Sequence, residues 1–260
     1  MKLTFLGTGT SFGIPVVGCD CPTCTSTDPR DARTRHGALV RMGETTILVD
    51  TPPELRQQLV AAGVERVDAV WYTHVHADHV HGIDDLRIFT VRYGDLPAYV
   101  PAEYVDHLGT YFNYIFDTSV VPVAGSSKPR VTLHPFSGEE PVLVAGHEFT
   151  PLPLPHGPVT VYGFRVGGLG YVTDAKRLTP QVVQRLEGVD VLVLNALWFG
   201  RPHASHFNVE EAVEAARNIG ARRTFLTHLT HRVRHEELLG RLPPGIEPAF
   251  DGLTIEVSDG

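Results

Sequence analysis

Six consecutive residues, His74-Val75-His76-Ala77-Asp78-His79, bring three imidazoles and a carboxylate into one short stretch. They follow Asp68-Ala69-Val70-Trp71-Tyr72-Thr73, an apolar run that reads as a buried strand. A strand that ends in ligands is a rigid place to hold a metal ion. His74 and His76 are two apart in extended chain and project to the same side. Asp78 and His79 come where the chain turns into a helix, so they point in another direction. One ion cannot easily use all four groups, whereas two adjacent ions can, one starting from the His pair and one from Asp78 with His79. Imidazole combined with carboxylate suits Zn²⁺, Mn²⁺ or Fe²⁺ rather than Ca²⁺ or Mg²⁺. Four ligand groups at this spacing set the segment apart from a loop that exposes histidines to solvent.

His-x-His-x-Asp-His after a strand resembles the signature of the metallo-β-lactamase superfamily of metallohydrolases. The resemblance implies a later His, an Asp and a final His, each at a strand end. Pro155-His156-Gly157 follows the strand-like Phe149–Leu154, and Tyr171-Val172-Thr173-Asp174 ends a strand in a carboxylate. Thr224-Phe225-Leu226-Thr227-His228 ends another in an imidazole. All seven positions are filled in order, over a resemblance that runs from Lys2 to about Val257. Carried over position by position, a first ion takes His74, His76 and His156, a second takes Asp78, His79 and His228, and Asp174 bridges them. The implied cofactors are two divalent catalytic metals, Zn²⁺ or Mn²⁺. Asp50, closing a strong apolar strand, is expected to orient a ligand histidine.

The three cysteines of the chain all lie in Cys19-Asp20-Cys21-Pro22-Thr23-Cys24. An odd number of thiols in a chain that reads as cytoplasmic argues against a disulfide framework. Three thiolates in one tight loop are one ligand short of a tetrahedral structural Zn²⁺. His231, three residues beyond His228, is the candidate for the fourth, facing away from the catalytic metals towards the N-terminal loop. Cys-x-Cys-x-x-Cys after Gly7-Thr8-Gly9-Thr10-Ser11 is similar to the phosphodiesterase branch of the superfamily, which includes the phosphoribosyl 1,2-cyclic phosphate phosphodiesterase. That branch carries a structural zinc on three N-terminal cysteines and on a His three residues after the last active-site ligand. It also carries a histidine, on the segment before that ligand, that serves the scissile phosphate. Ser205-His206-Phe207-Asn208 matches the place, and His206 is preferred over the offset His203.

A local argument supports His206 independently. Asn208 and Glu211 form an N-cap and N3 pair, and Val209, Ala212, Val213 and Ala216 give a helical apolar stripe. His206 then stands just before a helix N-terminus, where the macrodipole favours anions. The implied reaction is hydrolysis of a small, cyclic or linear phosphodiester by a hydroxide bridging two ions about 3.5–4 Å apart. Asp78 and Asp174 would hold the ions, Asp174 would position the hydroxide, and His206 would stabilise or protonate the departing oxygen. A thioester or lactone hydrolase on the same metal core, and an RNA-processing nuclease, are the alternatives.

The elements that must position these groups follow from pattern. Strand-like runs recur along the chain between helical patterns at 54–62, 80–93, 103–114, 180–186, 209–219 and 235–239. Strands and helices interspersed in this way predict an α/β protein, and the resemblance sharpens it to a four-layer αβ/βα sandwich with ligands along one edge. With 260 residues, 42% hydrophobic and 20% charged, the chain is expected to form one domain over residues 1–260. No run approaches the ~18 apolar residues of a membrane helix, so no membrane partner is expected. A net charge of −8 argues against holding a nucleic acid, whose non-specific affinity comes from basic surface. Five of the eight tyrosines fall in the aromatic segment 89–116, which would serve as a substrate lid, a homodimer surface or plain core.

Overall fold

Along the strand Val191–Asn195, Val191 and Val193 enter one apolar cluster while Leu192 and Leu194 enter another. Side chains alternate across a strand, so apolar residues at every position mean that both faces are covered. Phe225 and Leu226 divide between the same two clusters. This two-sided burial dictates layers.

The computed structural model describes residues 1–138 and 140–259. Its strands are β1 (Lys2–Gly7), β2 (Gly37–Met42), β3 (Thr45–Val49), β4 (Ala69–Trp71), β5 (Leu96–Pro101), β6 (Val131–Phe136) and β7 (Val142–Val144). They continue as β8 (His147–His156), β9 (Val159–Val166), β10 (Leu169–Tyr171), β11 (Val191–Asn195), β12 (Arg223–Thr227), β13 (Ile246–Pro248) and β14 (Thr254–Glu256). The helices are α1 (Leu55–Ala61), α2 (Ala77–Val80), α3 (Arg87–Tyr93), α4 (Val105–Tyr111), α5 (Asn113–Phe116), α6 (Pro180–Arg185), α7 (Val209–Ile219) and α8 (His235–Arg241). One sheet has the order β14-β1-β2-β3-β4-β5-β6 and the other β13-β12-β11-β10-β9-β8-β7.

An aromatic cluster joins the inner faces of the sheets. Trp71 stacks on Phe136 at 4.4 Å and Phe149 at 5.6 Å, and its Nε1 donates to the Tyr162 carbonyl at 3.1 Å. Leu55, Phe89, Leu108 and Ile115, from the helices of the first half, belong to that same core. Val182, Ala212, Ala216 and Leu238, from α6, α7 and α8, cover the outer face of the second sheet. The result is the four-layer αβ/βα arrangement. Among the described residues no helix is long and apolar enough to cross a membrane.

Two departures from the sequence pattern have physical reasons. The expected helix over 80–93 is broken at Gly82, whose N–H donates to the Thr51 carbonyl at 2.8 Å. A Cβ there would lie 2.0 Å from the Pro52 carbonyl oxygen, so only glycine permits the approach. The aromatic segment contains a strand that the pattern did not disclose, because Pro97 and Pro101 within β5 read as strand breakers. Phe89, Tyr104 and Ile115 are core, while Tyr93 and Tyr111 remain about half exposed. Prolines are tolerated in β8 because Pro151, Pro153 and Pro155 share one edge, beyond the short β7, which pairs only with residues 147–149.

The two ends of the described chain meet. β1 pairs antiparallel with β14, and the Met1 amino group donates to the Val257 carbonyl at 2.9 Å and to the Asp259 carboxylate at 2.5 Å.

Candidate metal centre

Strands β3, β4 and β5 run parallel, as do β10, β11 and β12. Their carboxyl ends open at one edge of the sandwich, the usual place for a ligand in such sheets. Asp50 follows β3, His74 follows β4, Asp174 follows β10 and His228 follows β12. His156 is the last residue of β8, and α2 supplies Asp78 and His79. Asp50, Asp174 and His228 all have left-handed backbones, with φ of 60°, 55° and 57°. Such a conformation costs a non-glycine residue about 1–3 kcal/mol. It turns the chain abruptly at the strand end and holds the side chain at the sheet edge.

The seven residues converge. The ligating atoms of His74, His76 and His156 lie within 4.8 Å of one another, as do those of Asp78, His79 and His228. Asp174 stands between the two groups. Its carboxylate oxygens are 3.8 Å from His74 Nε2, 3.4 Å from His79 Nε2 and 3.3 Å from His228 Nε2. His79 Nδ1 meets Asp50 at 2.7 Å, which leaves Nε2 aimed inwards; Asp50 also accepts from the Thr73 N–H and hydroxyl. His156 Nδ1 donates to the Ser205 carbonyl at 3.1 Å, freeing Nε2 in the same way. Such partners fix the tautomer of a ligand histidine. Among the described residues, His79 Nε2 and both ring nitrogens of His228 are buried with no hydrogen-bond partner. Orphaned lone pairs of this kind, crowded around buried carboxylates, fit divalent cations.

Electrostatics points the same way. Burial holds His74, His76 and His156 below the ordinary imidazole value and takes His228 down to about 4, which favours the neutral rings that ligate metals. Burial pushes the Asp174 carboxyl up, but His228, His79 and His206 outweigh it and keep the group well below the usual carboxylate range. Burial alone would lower His79 as well; the carboxylates of Asp174, Asp50 and Asp78 carry it well above. The pocket demands positive charge.

A second cluster lies behind the first. His231 Nδ1 is 3.2 Å from Cys19 Sγ and 3.6 Å from both Cys21 Sγ and Cys24 Sγ. The Cys24 N–H donates to Cys21 Sγ and draws that thiol down to about 6, whereas burial pushes Cys24 up to about 11. Three sulfurs around one imidazole nitrogen form a four-ligand set for a tetrahedral ion.

His206 enters from the loop before α7. The capping box is present: Asn208 Oδ1 accepts from the Glu211 N–H at 2.8 Å, and Glu211 accepts from the Asn208 N–H at 2.9 Å. The Nε2 of His206 is 3.6 Å from Asp174, buried and without a hydrogen-bond partner among the described residues, while Nδ1 is 3.2 Å from His203 Nδ1 and 3.0 Å from Ser205 Oγ. His203 therefore stands behind His206 and touches it.

Sequence reasoning missed His36. It is fully buried beneath the centre, with its ring 5.6 Å from His79 and 6.0 Å from His228. The Tyr171 hydroxyl is hydrogen-bonded to its Nε2 at 2.7 Å. One histidine before an apolar strand carries no spacing signal. Thr73 was equally silent, since only the turn around it brings its hydroxyl to Asp50 and to His74 Nδ1 at 3.0 Å.

Comparison with known proteins agrees with this geometry. A solved diphosphatase of the PhnP family is 36% identical with a TM-score of 0.90, covering 98% of this chain and 96% of that one. Coenzyme PQQ synthesis protein B of Methylobacterium sp. (strain 4-46) is 31% identical over 75% of this chain and 72% of its own length. Ribonuclease Z of Methanothermobacter thermautotrophicus is 25% identical over 99% and 97%. An octanoyltransferase of Porphyromonas gingivalis is 34% identical over the whole chain, which spans only 52% of that protein, about half. Residues 45–229, which carry all the ligand positions of the main cluster, match the β-lactamase superfamily domain. With its paired sheets, its strand-end ligands and that match, the chain belongs to the β-lactamase superfamily, as one of its metal-dependent hydrolases.

Proposed function

We propose that the chain is a dinuclear phosphodiesterase acting on a small phosphodiester. The observation that carries the reading is the placement of His206: its free Nε2 faces the same carboxylate, Asp174, that joins the two ligand clusters. His74, His76 and His156 would hold one ion, Asp78, His79 and His228 the other, and Asp174 would bridge them. Bound there, two divalent ions, Zn²⁺ or Mn²⁺, supply a water acidic enough to attack near neutral pH and neutralise charge on the phosphoryl oxygens.

The chain's own residues do the rest. Asp50 and the Ser205 carbonyl fix the ring orientations of His79 and His156. With its proton on Nε2, His206 presents a donor to the oxygen that leaves phosphorus. Its Nδ1 must then accept from Ser205 Oγ, because His203 Nδ1 already accepts from the Ser205 N–H; Ser205 therefore sets the productive tautomer. The set Cys19, Cys21, Cys24 and His231 would hold a structural Zn²⁺ that pins the N-terminal loop beside this site.

Cleavage of a phosphoanhydride is the second reading, supported by the diphosphatase at 36% identity. An acyl hydrolase is favoured less, because the octanoyltransferase relative is matched over only 52% of its length. An RNA nuclease has a distant relative in ribonuclease Z, but the net charge of −8 argues against it. Turnover after reconstitution with Zn²⁺ or Mn²⁺ separates the readings. Bis-p-nitrophenyl phosphate and cyclic nucleotides should be hydrolysed, and a thioester should not. Preference for a diphosphate-linked substrate would replace the diester with the anhydride, and thioester turnover alone would overturn both.

A further inference from the structure

Beside the Cys-His cluster, with His231 in its lining, lies a small cavity that the catalytic residues leave unused. It measures about 180 Å³ between the N-terminal loop, with Phe12 and Val16, and the segment carrying Trp198, Thr230 and Arg232. Phe12 leaves 73% of its surface in water. The indole N–H of Trp198 is satisfied within its own loop, donating to the Arg201 carbonyl at 2.7 Å. The Arg232 guanidinium lies 4.4 Å from the Trp198 ring centre.

Both walls are held in place. The Trp198 carbonyl accepts from the Val209 N–H at the start of α7, and Leu197 is bonded through its carbonyl to the Thr230 hydroxyl at 2.8 Å. The Val16 N–H donates to Cys24 Sγ, so the Cys-His cluster anchors the opposite wall. A run of ring contacts leads from the cavity into the centre. Trp198 meets His203 edge-on at 5.6 Å, His203 is 5.1 Å from His206, and His206 stacks on His228 at 5.0 Å.

We propose that this cavity is the subsite for a nucleobase, so that the substrate is a nucleotide rather than a bare sugar phosphate. The inference rests on the phosphodiester reading. Drug-sized pockets run to about 300–1,000 Å³, so a cavity of about 180 Å³ is sized for a single ring system. Phe12 and Trp198 give the lining two aromatic rings on which a base can stack, and Arg232, over the Trp198 ring, adds a cation. Its position past His203 places the base on the side of the scissile bond that His206 serves.

Intrinsic fluorescence tests it, because the chain has only two tryptophans and Trp71 is sealed in the core. The metal-loaded protein is titrated with adenosine 5′-monophosphate and, separately, with ribose 5-phosphate. The nucleotide should quench Trp198 emission and bind about five- to hundredfold more tightly, the range that base stacking supplies. Calorimetry on Trp198→Ala should show that preference lost. Phe12→Ala, which removes an exposed ring without touching the core, should weaken the nucleotide and spare ribose 5-phosphate. Equal affinity for the two ligands with unchanged emission would overturn the subsite, even in a protein that hydrolyses diesters. Selective quenching without turnover of any diester would sustain the subsite and sink the phosphodiesterase reading.

Discussion

Asp174 has to sit on a left-handed backbone and reach both ligand clusters at once. Replacing it should therefore remove the link between them without opening the core. Asp174→Ala is expected to abolish turnover and reduce bound catalytic metal, with a circular dichroism spectrum close to wild type; near-normal activity on any diester would refute its bridging place. His206→Ala should keep its metal and lose about 10²–10⁴-fold in rate. The loss should be largest with poor leaving groups and small with p-nitrophenolate, which departs without a proton; stopped assays on both substrates decide it. The seven converging residues were legible because their strand ends and spacing carry the resemblance, whereas His36 and Thr73 act only through contacts that the fold creates.

The N-terminal loop is built around its thiols rather than around an apolar core. Cys21→Ser should release one tightly held zinc ion per chain and lower the melting temperature, which metal analysis and thermal unfolding together would register. Helix α8 carries a different liability. His235 is buried, its N–H donates to Asp31 at 2.6 Å, and its ring lies 3.4 Å from Arg33. Burial, then Arg33 and Arg30, take its pKa from 6.5 down to about 4. Between those values the unfolded chain binds the proton and the folded one does not, so stability is complete above pH 6.5 and falls as pH drops towards 4. His235→Asn should flatten that part of the melting-temperature profile. At this scale the sequence was least transparent: β5 hid behind its prolines, and the helix over 80–93 broke where Gly82 meets Pro52.

The architecture as a whole hangs on the seam between the sheets. Trp71 belongs to the first sheet and bonds the Tyr162 carbonyl in the second, so it ties together the two halves that contribute ligands. Trp71→Ala should cost about 3–5 kcal/mol by chemical unfolding, as large buried aromatics do. Layer order was legible in advance from interspersed strands and helices plus the resemblance. Sheet order was not, because pairs such as β1 with β14 join residues about as far apart in sequence as the chain allows.

That pairing has a consequence for how the chain can be combined with others. Lys2 starts β1 and Thr8 lies beyond its end, where its carbonyl accepts from the Leu229 N–H next to His228. The strand between them spans about 20 Å. Met1 and Asp259 therefore sit side by side at the pole opposite the metals, like the two leads of a plug-in unit. A reporter domain fused there by design would hang from that pole, away from the metal-ligand residues.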